Sequence, residues 1–279
     1  MTTLAIRPMG EGDREALISW ASGLGWNPGI RDGECLHATD PNGLFLAELD
    51  GAPVGCATAI AYNAAFGFIG ALMVNPALRG KGYGAALQQR VFAYLGDRNI
   101  GADAMPSTRE QMLRTGFLFA YRHLRFEGVI PGGPPDKSIL PLTEVPIEDI
   151  FACDSACFPV ARERFLRNWL DAYGSGGFAC LRRDRLAGFG VLRPAVRGFR
   201  IGPLLADDPE TAEKILTAMG NLSGKAAIAI DIPEPNTAAV ASAKRLGLKQ
   251  GFDTMRLYSK VVPDLPLEHS FGIASYEFG

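Results

Sequence analysis

One pentapeptide pattern recurs. Ile69-Gly70-Ala71-Leu72-Met73 returns as Ile201-Gly202-Pro203-Leu204-Leu205, and Leu113-Arg114-Thr115-Gly116-Phe117 returns as Lys244-Arg245-Leu246-Gly247-Leu248. Both echoes lie about 130 residues apart, which indicates two duplicated domains and excludes a solenoid of short repeats. Whatever fold the first half adopts, the second must be able to adopt as well.

Hydrophobic periodicity gives that fold an outline. In the first half, residues 4–9 read as a strand, 13–24 as a helix and 29–39 as a weaker helix. Strands follow at 44–49 and 54–62, joined by the turn Asp50-Gly51-Ala52-Pro53, and at 66–74, which is apolar throughout. Residues 84–95 carry Leu87, Val91, Tyr94 and Leu95 at helical spacing, and 100–104, 107–115 and 118–128 close the unit as strand, helix and strand. The run at 129–138, dense in Pro and Gly, reads as a linker between domains 1–128 and 139–262, with 263–279 as a tail.

The second half repeats the order: a strand at 139–142, a mostly helical 149–173, a hairpin at 177–193, and a strand at 198–205. A helix through Ala212, Ile215, Leu216 and Met219 then leads to a final strand, helix and strand at 226–232, 236–246 and 251–260. Mixed helices and strands in this sequence place the chain in the α+β class with a mixed α/β sheet.

Bulk charge narrows the partners. A net charge near −2 leaves no global basic footprint, so neither nucleic acid nor an anionic membrane is expected. Five scattered cysteines form no Cys-x-x-Cys pair, and His37, His123 and His269 have no metal-ligand spacing, so no metal is expected. The opening residues lack a signal-peptide pattern, and the expected location is cytoplasmic.

The basic, glycine-rich segment Arg79-Gly80-Lys81-Gly82-Tyr83-Gly84 joins an apolar strand to a helix. Glycines there turn the backbone tightly, and the helix start adds positive potential, which suits a diphosphate. A nucleotide P-loop would need Ser or Thr after the lysine, and a dinucleotide loop would need Gly-x-Gly-x-x-Gly after the first strand; neither matches. The motif Arg-x-x-Gly-x-Gly, together with the element order and Gly116-Phe117 before the last strand, resembles the GCN5-related N-acetyltransferase (GNAT) superfamily.

The second half resembles the shorter domain often fused to such enzymes, through Asp154, Phe158, Arg162, Ile201-Gly202-Pro203-Leu204, Asp231-Ile232-Pro233-Glu234 and the stretch 271–279. The resemblance implies two tandem GNAT-like domains, each with a mostly antiparallel central sheet flanked by helices. It implies that acetyl-coenzyme A is the co-substrate, bound by Leu72, Met73 and Val74 on the strand and by Arg79, Gly80, Lys81, Gly82, Tyr83 and Gly84 in the loop.

The matching loop of the second half contains Asp207, Asp208, Glu210 and Glu213 and no glycine, so that half is not expected to hold the coenzyme. Two like charges near 5 Å repel by roughly 3 kcal/mol at an effective dielectric of 20.

Within the family the usual acid is a tyrosine four residues before the terminal Gly-Phe; here that position is Met112. Tyr121 and Ser107 are the remaining hydroxyl candidates. For the base, Glu48 and Asp50 read as solvated hairpin charges, and Glu277 or the Gly279 carboxylate is a candidate by analogy with the related N-myristoyltransferases. Trp26 and Asn27, in the loop where the superfamily builds substrate pockets, and Asp231 and Glu234, at a strand end, are candidates for the acceptor side.

The expected function is acetyl transfer to a primary amine of a small molecule or amino acid, by a monomer or homodimer. Acetylation of a protein lysine or N-terminus and non-catalytic acyl-coenzyme A sensing are the alternatives.

Overall fold

The computed structural model describes residues 3–279. The first half contributes β1 (Leu4–Pro8), α1 (Arg14–Gly23), α2 (Asp32–Thr39), β2 (Leu44–Leu49), β3 (Ala52–Ala61), β4 (Phe66–Val74) and α3 (Tyr83–Leu95). It ends with β5 (Asn99–Ala104), α4 (Arg109–Arg114) and β6 (Leu118–Gly128). The second half opens with β7 (Ile139–Pro141), α5 (Ile147–Cys157), α6 (Glu163–Tyr173), β8 (Gly177–Arg182), β9 (Arg185–Pro194) and β10 (Phe199–Ala206). α7 (Pro209–Ser223), β11 (Ile228–Pro233), α8 (Thr237–Arg245), β12 (Lys249–Tyr258) and β13 (Ser270–Gly272) complete it.

The duplication is visible in the turns. Asp50 and Gly51 have φ of 50° and 82° between β2 and β3, and Arg183 and Asp184 have φ of 51° and 59° between β8 and β9. Paired left-handed residues twist a two-residue turn to match the strands it joins. Each half then continues as an antiparallel meander into one parallel pair, β4 with β5 and β10 with β11, crossed over by α3 and α7.

The halves share a single sheet, in the order β1-β2-β3-β4-β5-β12-β6-β11-β10-β9-β8-β7. The final strands have changed places. β6, from the first half, lies against β11, while β12, from the second, lies against β5. The two exchanged strands pair with each other at the centre. Sequence periodicity located both strands but carries no information on which sheet edge each one joins.

The core follows the same sharing. α3 covers the first half with Leu87, Val91 and Leu95, all fully buried. A second cluster joins Leu36, Leu46 and Met73 to Phe165, Trp169, Phe189 and Phe278 across the two halves. Trp169 has no exposed surface, and its indole N–H donates to the Gly202 carbonyl at 3.0 Å.

The predicted continuous helix over 149–173 is two helices. Phe158 is extended (φ −127°, ψ 150°) because Pro159 follows it, and a residue before proline is driven out of the helical region. The break lets Arg162 turn inward onto Asp154, with Nε to Oδ2 at 2.8 Å and Nη2 to Oδ1 at 2.9 Å. From there Arg162 also donates to the Gly279 carbonyl at 3.0 Å. The tail is therefore tied into the body of the protein.

Candidate active site

β4 and β5 run side by side only as far as Ile69 and Ala102; beyond that point they part. The register shift between Ala57 and Ala59 of β3 bends β4 away, and the Thr58 hydroxyl fills the gap by accepting the Ala71 N–H at 2.9 Å. The opening is a cavity of about 530 Å³. Along it, residues 70–74 of β4 have no strand partner on their β5-facing edge among the described residues.

At one end stands the glycine-rich loop. Gly80 (φ 78°) and Gly82 (φ 88°) are left-handed, a conformation other residues adopt at a cost. α3 begins directly after them with no acidic residue in its first turn and no side-chain cap, leaving its backbone donors unclaimed. Leu72, Met73, Val74, Arg79 and Gly84 line the cavity, while Gly80, Lys81, Gly82 and Tyr83 form the loop between the last two.

At the other end Trp26, Phe252 and Tyr276 gather around Arg125. Its guanidinium donates to the Trp26 carbonyl at 2.8 Å and lies 4.5 Å from the Phe252 ring centre and 5.1 Å from that of Tyr276. Arg125 is held in turn by Asp231 through a bidentate pair at 2.7 and 2.9 Å. Asp231 also accepts from the Tyr276 hydroxyl at 2.5 Å and from Arg200. Burial alone would raise the Asp231 carboxyl, but Arg125 and Arg200 overcome it and hold the group well below the usual carboxylate range.

The other residues singled out by sequence fall in different places. Ser107 and Met112 line the cavity; Tyr121 does not, its ring lying edge-on against His123 at 5.2 Å and its hydroxyl pushed upward by burial. Trp26 lines the cavity, whereas the Asn27 amide is spent on the Arg197 backbone at 2.9 and 2.8 Å, tying the two halves together. Asp231 stands behind Tyr276, and Glu234 is at the surface, paired with Arg122. Glu48 pairs with Arg7 at 2.8 Å, and Asp50 accepts the Thr3 N–H at 3.0 Å.

Phe252, Thr254 and Tyr276 were not anticipated as site residues. The alternation of the 251–260 strand could have marked Phe252 and Thr254 as sharing a face. Only the exchange of β12 brings that face to the first half's cavity.

The second half has the same notch. β10 and β11 pair through Ile201 and Ile230 and then part. There β13 enters, pairing with Leu204 and Leu205, and the Ile273 N–H donates to the Asp231 carbonyl at 3.0 Å. The repeated glycines explain themselves here. A Cβ on Gly202 would lie 2.2 Å from the Ile273 oxygen, and one on Gly70 would lie 2.8 Å from the Glu277 oxygen. The tail crosses both motif glycines, filling the second notch and walling the first.

The acidic loop of the second half has become a helix cap. Asp208 accepts the Thr211 N–H at 2.8 Å at the start of α7 and pairs with Arg182, while Asp207 pairs with Arg185. That backbone bond, helped by Arg182, lowers the Asp208 carboxyl to about 2.

Among the described residues no group of three His, Cys, Asp or Glu side chains is placed to hold a metal ion, and no helix is long and apolar enough to cross a membrane.

Comparison with known proteins matches both halves to the same superfamily. The Acetyltransferase (GNAT) family profile covers residues 15–112, and an Acetyltransferase (GNAT) domain profile covers 150–272. The chain is 26% identical to holothin acyltransferase of Pseudoalteromonas sp. (strain SANK 73390), over 99% of this chain and 95% of that one. A crystal structure of a putative acetyltransferase from Pyrococcus horikoshii superposes with a TM-score of 0.84 at 26% identity, covering 99% of this chain and 96% of that one. A tandem GNAT protein from the clavulanic acid biosynthesis pathway shares the fold, with a TM-score of 0.66 at 16% identity over 92% of this chain and 98% of that one.

Proposed function

Because this chain is a GNAT-superfamily acyltransferase made of two tandem GNAT domains, we propose that it moves an acetyl group from acetyl-coenzyme A to the amine of a small molecule, binding one donor per chain. The observation that carries this reading is the unpartnered edge of β4 ending in the 79–84 loop. In this reading residues 1–128 supply the donor site, 139–262 wall the acceptor side across the linker 129–138, and the 263–279 segment closes the seam.

Each part of the cavity has work to do. The backbone groups on the unpaired edge of residues 70–74, apart from the Val74 carbonyl that accepts from Arg79 Nε at 3.3 Å, can take the amides of an extended pantetheine arm as a neighbouring strand would. Arg79, Lys81 and the N–H groups from Gly80 to Gly84 face a diphosphate, where local positive potential counts most. N–H groups of β4 at the parting point stabilise the oxyanion as the amine attacks the thioester. Met112 cannot give a proton, so Ser107 or water serves the departing sulfur.

That an acylating relative is named for holothin supports a small-molecule acceptor and makes holothin one of the first compounds to try.

Calorimetry and thiol release test the assignment. Acetyl-coenzyme A should bind the wild type at one per chain. Gly82→Glu should weaken binding by roughly a hundredfold, since one added charge near a phosphate costs about 3 kcal/mol at 5 Å. A Cβ at Gly82 meets nothing within 4 Å, so the cost to the fold should be the left-handed backbone strain alone, about 1–2 kcal/mol, which thermal unfolding of the variant checks. Unchanged affinity would remove the loop from the site.

A further inference from the structure

Resting on that reading of the cleft, we propose that the acceptor is a planar, weakly basic amine, an arylamine or amino-heteroaromatic that is uncharged at neutral pH. It sits among Trp26, Phe252 and Tyr276 with a polar atom on the Thr254 hydroxyl. The argument begins with what the acceptor end lacks. Asp103 is the one carboxylate bordering the cavity among the described residues, and its side chain is 0% exposed. Both its oxygens are taken by Arg256, at 2.8 and 2.9 Å. Asp231, behind Tyr276, is filled by two arginines and a hydroxyl. Glu277, whose backbone lies against Gly70, does not line the cavity, and burial favours its neutral form. No carboxylate that lines the cavity is left to meet an ammonium group.

An aliphatic amine arrives mostly as such an ion. With a pKa near that of lysine, only about one molecule in 2,500 is neutral at pH 7. Burying the charged form without a partner costs several kcal/mol. An arylamine brings no charge to bury, needs no base to free its lone pair, and presents flat faces to aromatic walls.

Thr254 supplies the positive observation. It is 4% exposed, lines the cavity, and its Oγ1 has no hydrogen-bond partner. A buried hydroxyl left unpaired is costly, and a hydroxyl both donates and accepts, so it suits a ring nitrogen, an N–H or a carbonyl on the acceptor.

The chemistry balances without a protein base. The nitrogen lone pair forms the C–N bond, the C–S bond breaks with its pair on sulfur, and the surplus proton on nitrogen ends on that sulfur, directly or through water.

The test compares acceptors at pH 7 with acetyl-coenzyme A as donor, reading thiol release from the full chain. 2-Aminothiazole and aniline should show kcat/KM at least about tenfold above cadaverine and Nα-acetyl-lysine amide. Thr254→Val, which keeps the shape, should raise KM for 2-aminothiazole several-fold, with acetyl-coenzyme A affinity by calorimetry unchanged. A preference for the aliphatic amines, or an unmoved KM in Thr254→Val, overturns the inference while leaving the donor site in place. Donor binding with no release for either planar amine overturns it too. Absent donor binding overturns this inference and the proposed function together.

Discussion

The two notches have the same construction and opposite contents. In each, a parallel strand pair runs a few residues and parts after an Ile-Gly step, at Ile69-Gly70 and at Ile201-Gly202. The first opens into a cavity of about 530 Å³ with a glycine-rich, basic loop at its mouth. The second is occupied by β13, and its loop has turned into the Asp208 cap of α7, with Arg182 paired to Asp208 and Arg185 to Asp207. The repeat supplies two parted strand pairs, and the chain's own tail fills one. Tail residues then cross to the other and furnish its wall, through Tyr276 over the cavity and the Glu277 backbone against Gly70. The second half is thus part of the wall of the first half's cavity.

If the halves depend on each other in this way, the ion cluster at the seam should matter to the whole. Asp231 on β11 holds Arg125 of β6, Arg200 of β10 and Tyr276 of the tail, all buried. Asp231→Ala leaves two guanidinium groups buried without their anion, and the expected loss is about 3–5 kcal/mol in urea unfolding followed by circular dichroism. The transition should remain a single step. Two separate transitions, or a loss under about 1 kcal/mol, would mean that the halves fold as independent bodies.

A smaller effect separates the contribution of the loop from that of the plug. Asp208→Ala removes a helix cap and should cost about 1 kcal/mol of stability with no change in acetyl-coenzyme A affinity. Restoring basic charge by Asp207→Arg with Glu210→Lys should still leave one donor per chain, because β13 remains in the notch. A second equivalent in calorimetry would show that loop charge alone distinguishes the two halves.

Much of this was legible in the sequence, and the illegible part has a physical cause. The repeat, the α+β class and the element order follow from periodicity and turn residues, which are local. The 79–84 segment stands out as a candidate anion site because its glycines and cations are contiguous. The proposed acceptor end does not, because its members come from separated places in the chain: Trp26, Phe252, Thr254 and Tyr276. They meet only after β6 and β12 trade sheet edges, a long-range pairing that no local pattern encodes. Asn27 shows the converse: its amide looks available in sequence but is consumed by the Arg197 backbone. The pentapeptide echo was readable from the start, yet its meaning, room for a strand laid across each glycine, required the tail to be placed.

The subtlest consequence of the tail's position is a pH slope. Glu277 is 4% exposed; its Oε2 accepts from the Ser275 hydroxyl at 2.6 Å, and Oε1 has no partner. Burial pushes its carboxyl above the ordinary 4.5, with Arg200 only partly offsetting it. The folded state therefore retains a proton that the unfolded chain has released, and stability falls as pH rises from about 4.5 toward the folded value. Buried His123, whose ring is pushed down by burial, acts in the opposite sense below its ordinary 6.5, so the useful quantity is the difference between variant and wild type. Glu277→Gln should flatten the decline and make the variant relatively more stable at pH 8 than at pH 5, in urea unfolding across that range. A variant that loses stability toward pH 8 would show that Glu277 is ionised and serves Arg200 as a counter-ion. The tail would then be held over the first notch by charge at Glu277 as well as by the Tyr276 hydroxyl on Asp231.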